Sequence, residues 1–179
     1  YVVLLSAHSL VFRHILDVNI RNINAESSNF FAGIINFKFN SKNQSATQEE
    51  NMIFTGLDTK LDLAYVGDNH AYVLINKLKY FSSTGGPFTS TGYSHFRVNW
   101  LRKQLISYES FAQAQYDDGR NMPLRWLIGS GVRVRAMNKE KGLIEFGTGL
   151  MYETEKWKNP EIEGAIIEKN IWKSTSYLR

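Results

Sequence analysis

Residues 106–152 read ISYESFAQAQYDDGRNMPLRWLIGSGVRVRAMNKEKGLIEFGTGLMY, and no other stretch constrains the architecture as tightly. Every second residue is apolar in three successive segments, and two short polar turns separate them. In the middle segment Leu124, Trp126, Ile128, Ser130, Val132, Val134 and Ala136 share one face, while Arg125, Leu127, Gly129, Gly131, Arg133 and Arg135 share the other. A period of two places successive side chains on opposite faces of a strand, not along one stripe of a helix. About a dozen residues is long for a globular strand, whose usual length is about 5–6. It suits a tilted crossing of a bilayer, which takes roughly 9–11.

The turns imply a register. A hairpin closed by Met137–Gly142 sets Arg133 opposite Glu145, Gly131 opposite Gly147 and Gly129 opposite Gly149. A turn at Asp117–Met122 sets Gln115 opposite Arg125, Phe111 opposite Gly129 and Glu109 opposite Gly131. Strand glycines mark bends or close approaches. Gly129, Gly131, Gly147 and Gly149 therefore predict a curved wall with large side chains folding into the gap. The sharper alternative is a ligand-sized hollow beside Phe111 and Glu109.

The rest of the 179-residue chain fits this core. Its length suffices for one domain. The formal excess of four positive charges is small and interspersed, so nucleic acid is not an expected partner. The absence of cysteine excludes thiol chemistry, disulfides and zinc–cysteine sites. No apolar run reaches the length of a membrane helix, but barrel strands hide from such windows by alternating.

Residues 1–28 divide into an apolar start, Tyr1–Phe12, that reads as a signal-peptide remnant, and a polar lead-in, His14–Ser28. The β-barrel domain is expected over 29–179 and reads as truncated at its C-terminus. Strands are expected at Phe30–Asn40, Asn51–Val66, His70–Phe81 and Tyr93–Leu101, then through the central segment, with an eighth beginning at Ile171. Gly67–Asn69, Arg102–Gln104 and Met137–Gly142 are expected as short turns; Ser41–Glu50, Ser82–Gly92 and Glu153–Asn170 as longer loops. The turn after Tyr93–Leu101 is expected to bring Arg97 opposite Glu109. The fold class is thus all-β, an antiparallel up-and-down meander of about eight strands forming a partial barrel of the outer-membrane kind. Short turns on one rim and longer loops on the other fit that architecture, as do Tyr65, Tyr72, Tyr80, Trp100, Tyr116 and Tyr152 near strand ends. A soluble barrel holding an apolar ligand, with the apolar face inward, is the alternative.

Residues 95–136, HFRVNWLRKQLISYESFAQAQYDDGRNMPLRWLIGSGVRVRA, resemble the core of the domain of unknown function 481 family, the salt-induced outer-membrane proteins. The resemblance rests on His95 and Arg97, on Glu109, Phe111, Gln113 and Gln115, on Arg125, Gly129, Gly131 and Arg133, and on Gly147, Gly149, Tyr152 and Glu153. It implies a barrel in the outer membrane of a Gram-negative bacterium, with membrane lipid and the barrel-assembly machinery as partners. The role it implies is structural or small-solute passage, linked by family name to osmotic or envelope stress. It implies no reaction and no cofactor.

Arg97, Glu109, Arg125, Arg133, Arg135 and Glu145 are the dense polar cluster, expected as lumen ion pairs that stiffen the wall. A basic strip attracting a small anionic solute is the sharper alternative. His8, His14, His70 and His95 do not cluster. Ser94 and His95 face opposite ways on a strand and form no nucleophile–base pair, so a lipid-modifying barrel enzyme is the weakest reading. Lys60 separates Asp58 from Asp62, and Asp117–Asp118–Gly119 reads as a turn, so no metal site is expected.

Overall fold

The computed structural model describes residues 29–45, 51–139, 142–162 and 164–178, and the proposed signal remnant lies outside them. Eight strands follow in chain order: β1 (Phe30–Ser45), β2 (Asn51–Val66), β3 (His70–Ser83), β4 (Gly86–Trp100), β5 (Ile106–Asp117), β6 (Met122–Lys139), β7 (Gly142–Lys158) and β8 (Ile166–Leu178). Each pairs antiparallel with the next in one sheet of order β1 to β8. No pairing joins β1 to β8 among the described residues, so the wall is a partial barrel. A single short 3₁₀ turn, Asp118–Arg120, links β5 to β6, capped by the Asp117 carboxylate accepting from the Arg120 amide at 3.2 Å.

The faces divide as the alternation predicts, and their sense is inverted relative to a water-soluble core. On β1 Ile35 and Phe37 are 76% and 67% exposed. Trp126, Ile128, Phe146, Leu150 and Trp172 continue this apolar exposure over β6 to β8. The opposite face buries Asp62, His95, Arg97, Asn99, Arg133, Glu145 and Glu153. Curvature accounts for that burial. The Tyr177 hydroxyl on β8 reaches the Glu109 carboxylate on β5, three strands away, which requires the sheet to curl around its polar side. The apolar face is therefore the outer one.

Several strands run further than their composition suggests. Polar residues do not end a strand whose inner face is itself polar, so β3, β4, β7 and β8 extend into the stretches expected as loops. Ser82–Gly92 shrinks to a turn at Thr84–Gly85, and Glu153–Asn170 shrinks to residues 159–165. The expected contrast between a short-turn rim and a long-loop rim is correspondingly weak.

Two registers also differ. β6 and β7 run on to Lys139 and Gly142, with a bulge at Ala136, so Arg135 rather than Arg133 faces Glu145. Arg133 then faces Gly147, Gly131 faces Gly149, and Gly129 faces Met151. Glu109 lies opposite Asn99, while Arg97 lies opposite Phe111. The connection there is wider than the three residues Arg102–Gln104. Leu101 takes a left-handed φ of 55°, and Arg102 folds across the neighbouring turn. Its amide donates to the Asn69 carbonyl at 2.9 Å, and its Nε to the Gly67 carbonyl at 2.7 Å. Both slips are by two residues, so each side chain keeps its face. The β5–β6 register is as predicted: Gln115 faces Arg125, Phe111 faces Gly129 and Glu109 faces Gly131.

Candidate functional site: the charged inner face

The inner face of β5–β8 is built around glycines that let rings lie flat on the sheet. The Phe111 ring covers Gly129, and the Tyr177 ring covers Gly147. Gly131 and Gly149 face each other with no room for a side chain. A Cβ on Gly149 would stand 2.6 Å from the Ser130 carbonyl, and one on Gly131 would stand 2.7 Å from that of Thr148. The predicted gap is thus occupied by Phe111 and Tyr177 and closed by backbone approach. Tyr177 lies in the eighth strand, whose inner face is hard to recognise from its mixed composition.

Two ion-pair networks frame this floor. Toward the rim of the β4–β5 turn, Arg133 reaches Glu109 at 3.4 Å and Glu145 at 3.6 Å, and its Nε donates to the Ser107 hydroxyl at 3.1 Å. Arg135 binds the same Glu145 at 3.2 Å and donates to the Arg102 carbonyl at 2.8 Å. Glu145 is wholly buried, so its two arginines stand in for water. Arg102 at the turn feels burial lowering its pKa and Asp68 opposing that shift; a guanidinium remains charged throughout.

The second network lies at the opposite end of β6. Arg125 binds Glu153 at 2.9 Å and Glu155 at 3.2 Å, and Lys173 binds Glu153 at 2.7 Å. Eight positions separate Arg125 from Arg133, about 27 Å of strand. The six charges read from the sequence therefore do not form one cluster. Glu109, Arg133, Arg135 and Glu145 come together; Arg125 belongs with Glu153, Glu155 and Lys173. Glu153 and Glu155 continue the same period of two on β7, a signal obscured by treating Glu153–Asn170 as a loop.

Arg97 is buried on the inner face of β4 between His95 and Asn99. His95 is 2% exposed and lies between the rings of Tyr93 and Phe111, with centroids 6.2 and 6.1 Å away. The Gln113 amide donates to Gln115 at 3.1 Å, which turns its oxygen toward the Tyr93 hydroxyl at 3.2 Å and His95 Nδ1 at 3.3 Å. Ser94 points to the other face, so the pair is not arranged for nucleophilic chemistry.

On β2 and β3 the inner face is partly aliphatic, with Ala64, Val73 and Ile75 packed together. Beyond them Lys60 stands directly opposite Lys77. Asp62 holds Lys60 at 2.7 Å, and Lys77 lies over the Tyr93 ring at 5.9 Å. Among the described residues no group of three or more metal-ligating side chains converges. No family model matches the chain, and neither a curated protein nor a solved structure matches it.

Proposed function

We propose that this chain forms the wall of a β-barrel in the outer membrane of a Gram-negative bacterium, with a structural or small-solute role. The observation that carries this reading is the inversion of polarity: large apolar side chains cover the outer face while ion pairs fill the inner one. An outer surface of this kind is costly in water and favourable against lipid. Aromatic rows reinforce it. Tyr72 and Tyr80 on β3, and Tyr108 and Tyr116 on β5, are each eight positions apart on the outer face, about 27 Å of strand. Rings at two such levels suit the two interfaces of a bilayer.

The resemblance to the salt-induced outer-membrane family supports the same location and adds the barrel-assembly machinery as a partner during insertion. Catalysis is not part of the proposal. A small anionic solute is the passenger favoured by Lys77, which lies over the Tyr93 ring on the inner face while Asp62 holds the facing Lys60.

The chain's lack of cysteine makes labelling decisive. Ile128→Cys and Lys77→Cys variants are exposed in membranes to a water-soluble thiol reagent. Ile128→Cys is expected to react only after detergent is added, and Lys77→Cys to react without it. Equal reaction of Ile128→Cys with and without detergent would place the apolar face in water and end the membrane reading.

A further inference from the structure

One row of side chains crosses the inner wall from β2 to β8 without an apolar member. The strand pairings set Lys60 opposite Lys77, Lys77 opposite Tyr93, Tyr93 opposite Gln115 and Gln115 opposite Arg125. β7 and β8 add Glu155 and Lys169. The next row toward the β4–β5 turn is broken by Ile75, Leu127 and Ile171, and the one after it by Ala64, Val73, Phe111 and Met151.

The polar row is also basic. Asp62 holds Lys60, while Glu153 and Glu155 hold Arg125 and Lys173 joins Glu153. With Lys77 and Lys169 this makes five cations against three carboxylates. Lys77 lies over the Tyr93 ring, and Lys169 is exposed.

Strands of a membrane barrel tilt by roughly 35–45° to its axis, so a row square to the strands climbs as it goes round. The steps of about 4.8 Å from β2 to β8 rise in this way by roughly 18 Å, more than half of an apolar band about 25 Å tall. The row is thus a sloping path through the membrane's thickness and not a collar at one rim.

We infer that this row is a track for small inorganic anions, with Lys77 and Lys169 as its charge-selecting positions. The inference rests on the membrane reading above and gives its lumen a route. Ammonium, phenol, amide and guanidinium groups follow one another along the row, and each donates to an anion in place of its water. Their spacing lets an anion meet one donor as it leaves the last, the weak multi-site binding that passage requires. Lys60 and Arg125, already held by carboxylates, fix the track and attract less.

The test places the full chain in phosphatidylcholine bilayers under a potassium chloride gradient and reads the chloride-to-potassium permeability ratio from the reversal potential. The ratio is expected to exceed one. Lys77→Glu is expected to lower it at least fivefold and Lys169→Glu at least twofold, while Lys77→Arg stays within twofold. Lys103→Gln, in the β4–β5 turn and off the row, is expected to leave it unchanged. Should Lys77→Glu fail to insert, Lys169→Glu carries the expectation alone. A ratio that neither glutamate moves overturns the track, as does an inserted chain that carries no chloride current. Ile128→Cys in vesicles of the same lipid separates the two failures. If it resists a water-soluble thiol reagent until detergent is added, the membrane reading stands without the track. If it reacts equally without detergent, both fall.

Discussion

The β1–β3 and β6–β8 parts of the wall fill their inner faces by different means. On β2 and β3, Ala64, Val66, Ala71, Val73 and Ile75 are buried as small aliphatic groups. On β6 and β7, Arg133, Glu145 and Glu153 are buried as charges, and rings lie over glycines. Aliphatic packing is non-directional and tolerates adjustment. An ion-pair network is not, since each buried charge depends on a partner in place. The β6–β8 part should therefore be the less forgiving of the two.

Substitutions sharpen that contrast, and their effects can be read by urea titration of the detergent-solubilised, folded chain. Glu145→Ala removes the buried carboxylate that Arg133 and Arg135 share, leaving Arg133 with Glu109, and is expected to cost about 3–5 kcal/mol. If it costs less than a truncation on β3, the networks are not what holds the β6–β8 part. Gly149→Val forces a side chain against the Ser130 carbonyl on β6 and is expected to cost about 1–3 kcal/mol or more. Gly119→Val, in the exposed turn, is expected to be much milder, and an equal penalty would mean that close backbone approach at Gly149 is unimportant. Ile75→Val on β3 removes one methylene from the aliphatic part and is expected to cost about 0.5–1.5 kcal/mol. A larger loss would show that part to be as tightly fitted as its counterpart. Lys79→Ala breaks an exposed pair with Asp58, 3.9 Å apart, and is expected to change stability by less than about 1 kcal/mol.

The register differences show where reading residues in order loses information. Gln115 faces Arg125 as predicted because the Asp117–Met122 turn is compact and self-capped. Arg97 and Glu109 miss each other because Arg102 is drawn to carbonyls of a different turn, Gly67 and Asn69, remote in sequence. Arg135 takes the place expected for Arg133 because a bulge at Ala136 and a tighter turn shift the hairpin. A turn's length and bulges depend on what the neighbouring turns supply, which local composition does not record.

The candidate site was legible to the same degree. Arg133, Arg135, Glu109 and Glu145 are found together because they share a parity on adjacent strands. Arg125 pairs with Glu153 and Glu155, whose charges resemble a loop when read without the strand that continues through them. Tyr177 meets Glu109 only because four strands curl, a long-range consequence of glycines on β6 and β7.

What the sequence by itself determined is the period of two, and with it the eight-strand meander and the division of side chains between two faces. Backbone geometry alone enforces that division, and a slip of two residues leaves it intact. Which face turns inward was decided only by the tertiary structure. An alternating strand is equally consistent with either sense, and the choice depends on how adjacent strands curve together. Here facing glycines draw the backbones close, rings settle over the remaining glycines, and paired carboxylates and guanidinium groups occupy the concave side. The aliphatic and aromatic side chains are left on the outside.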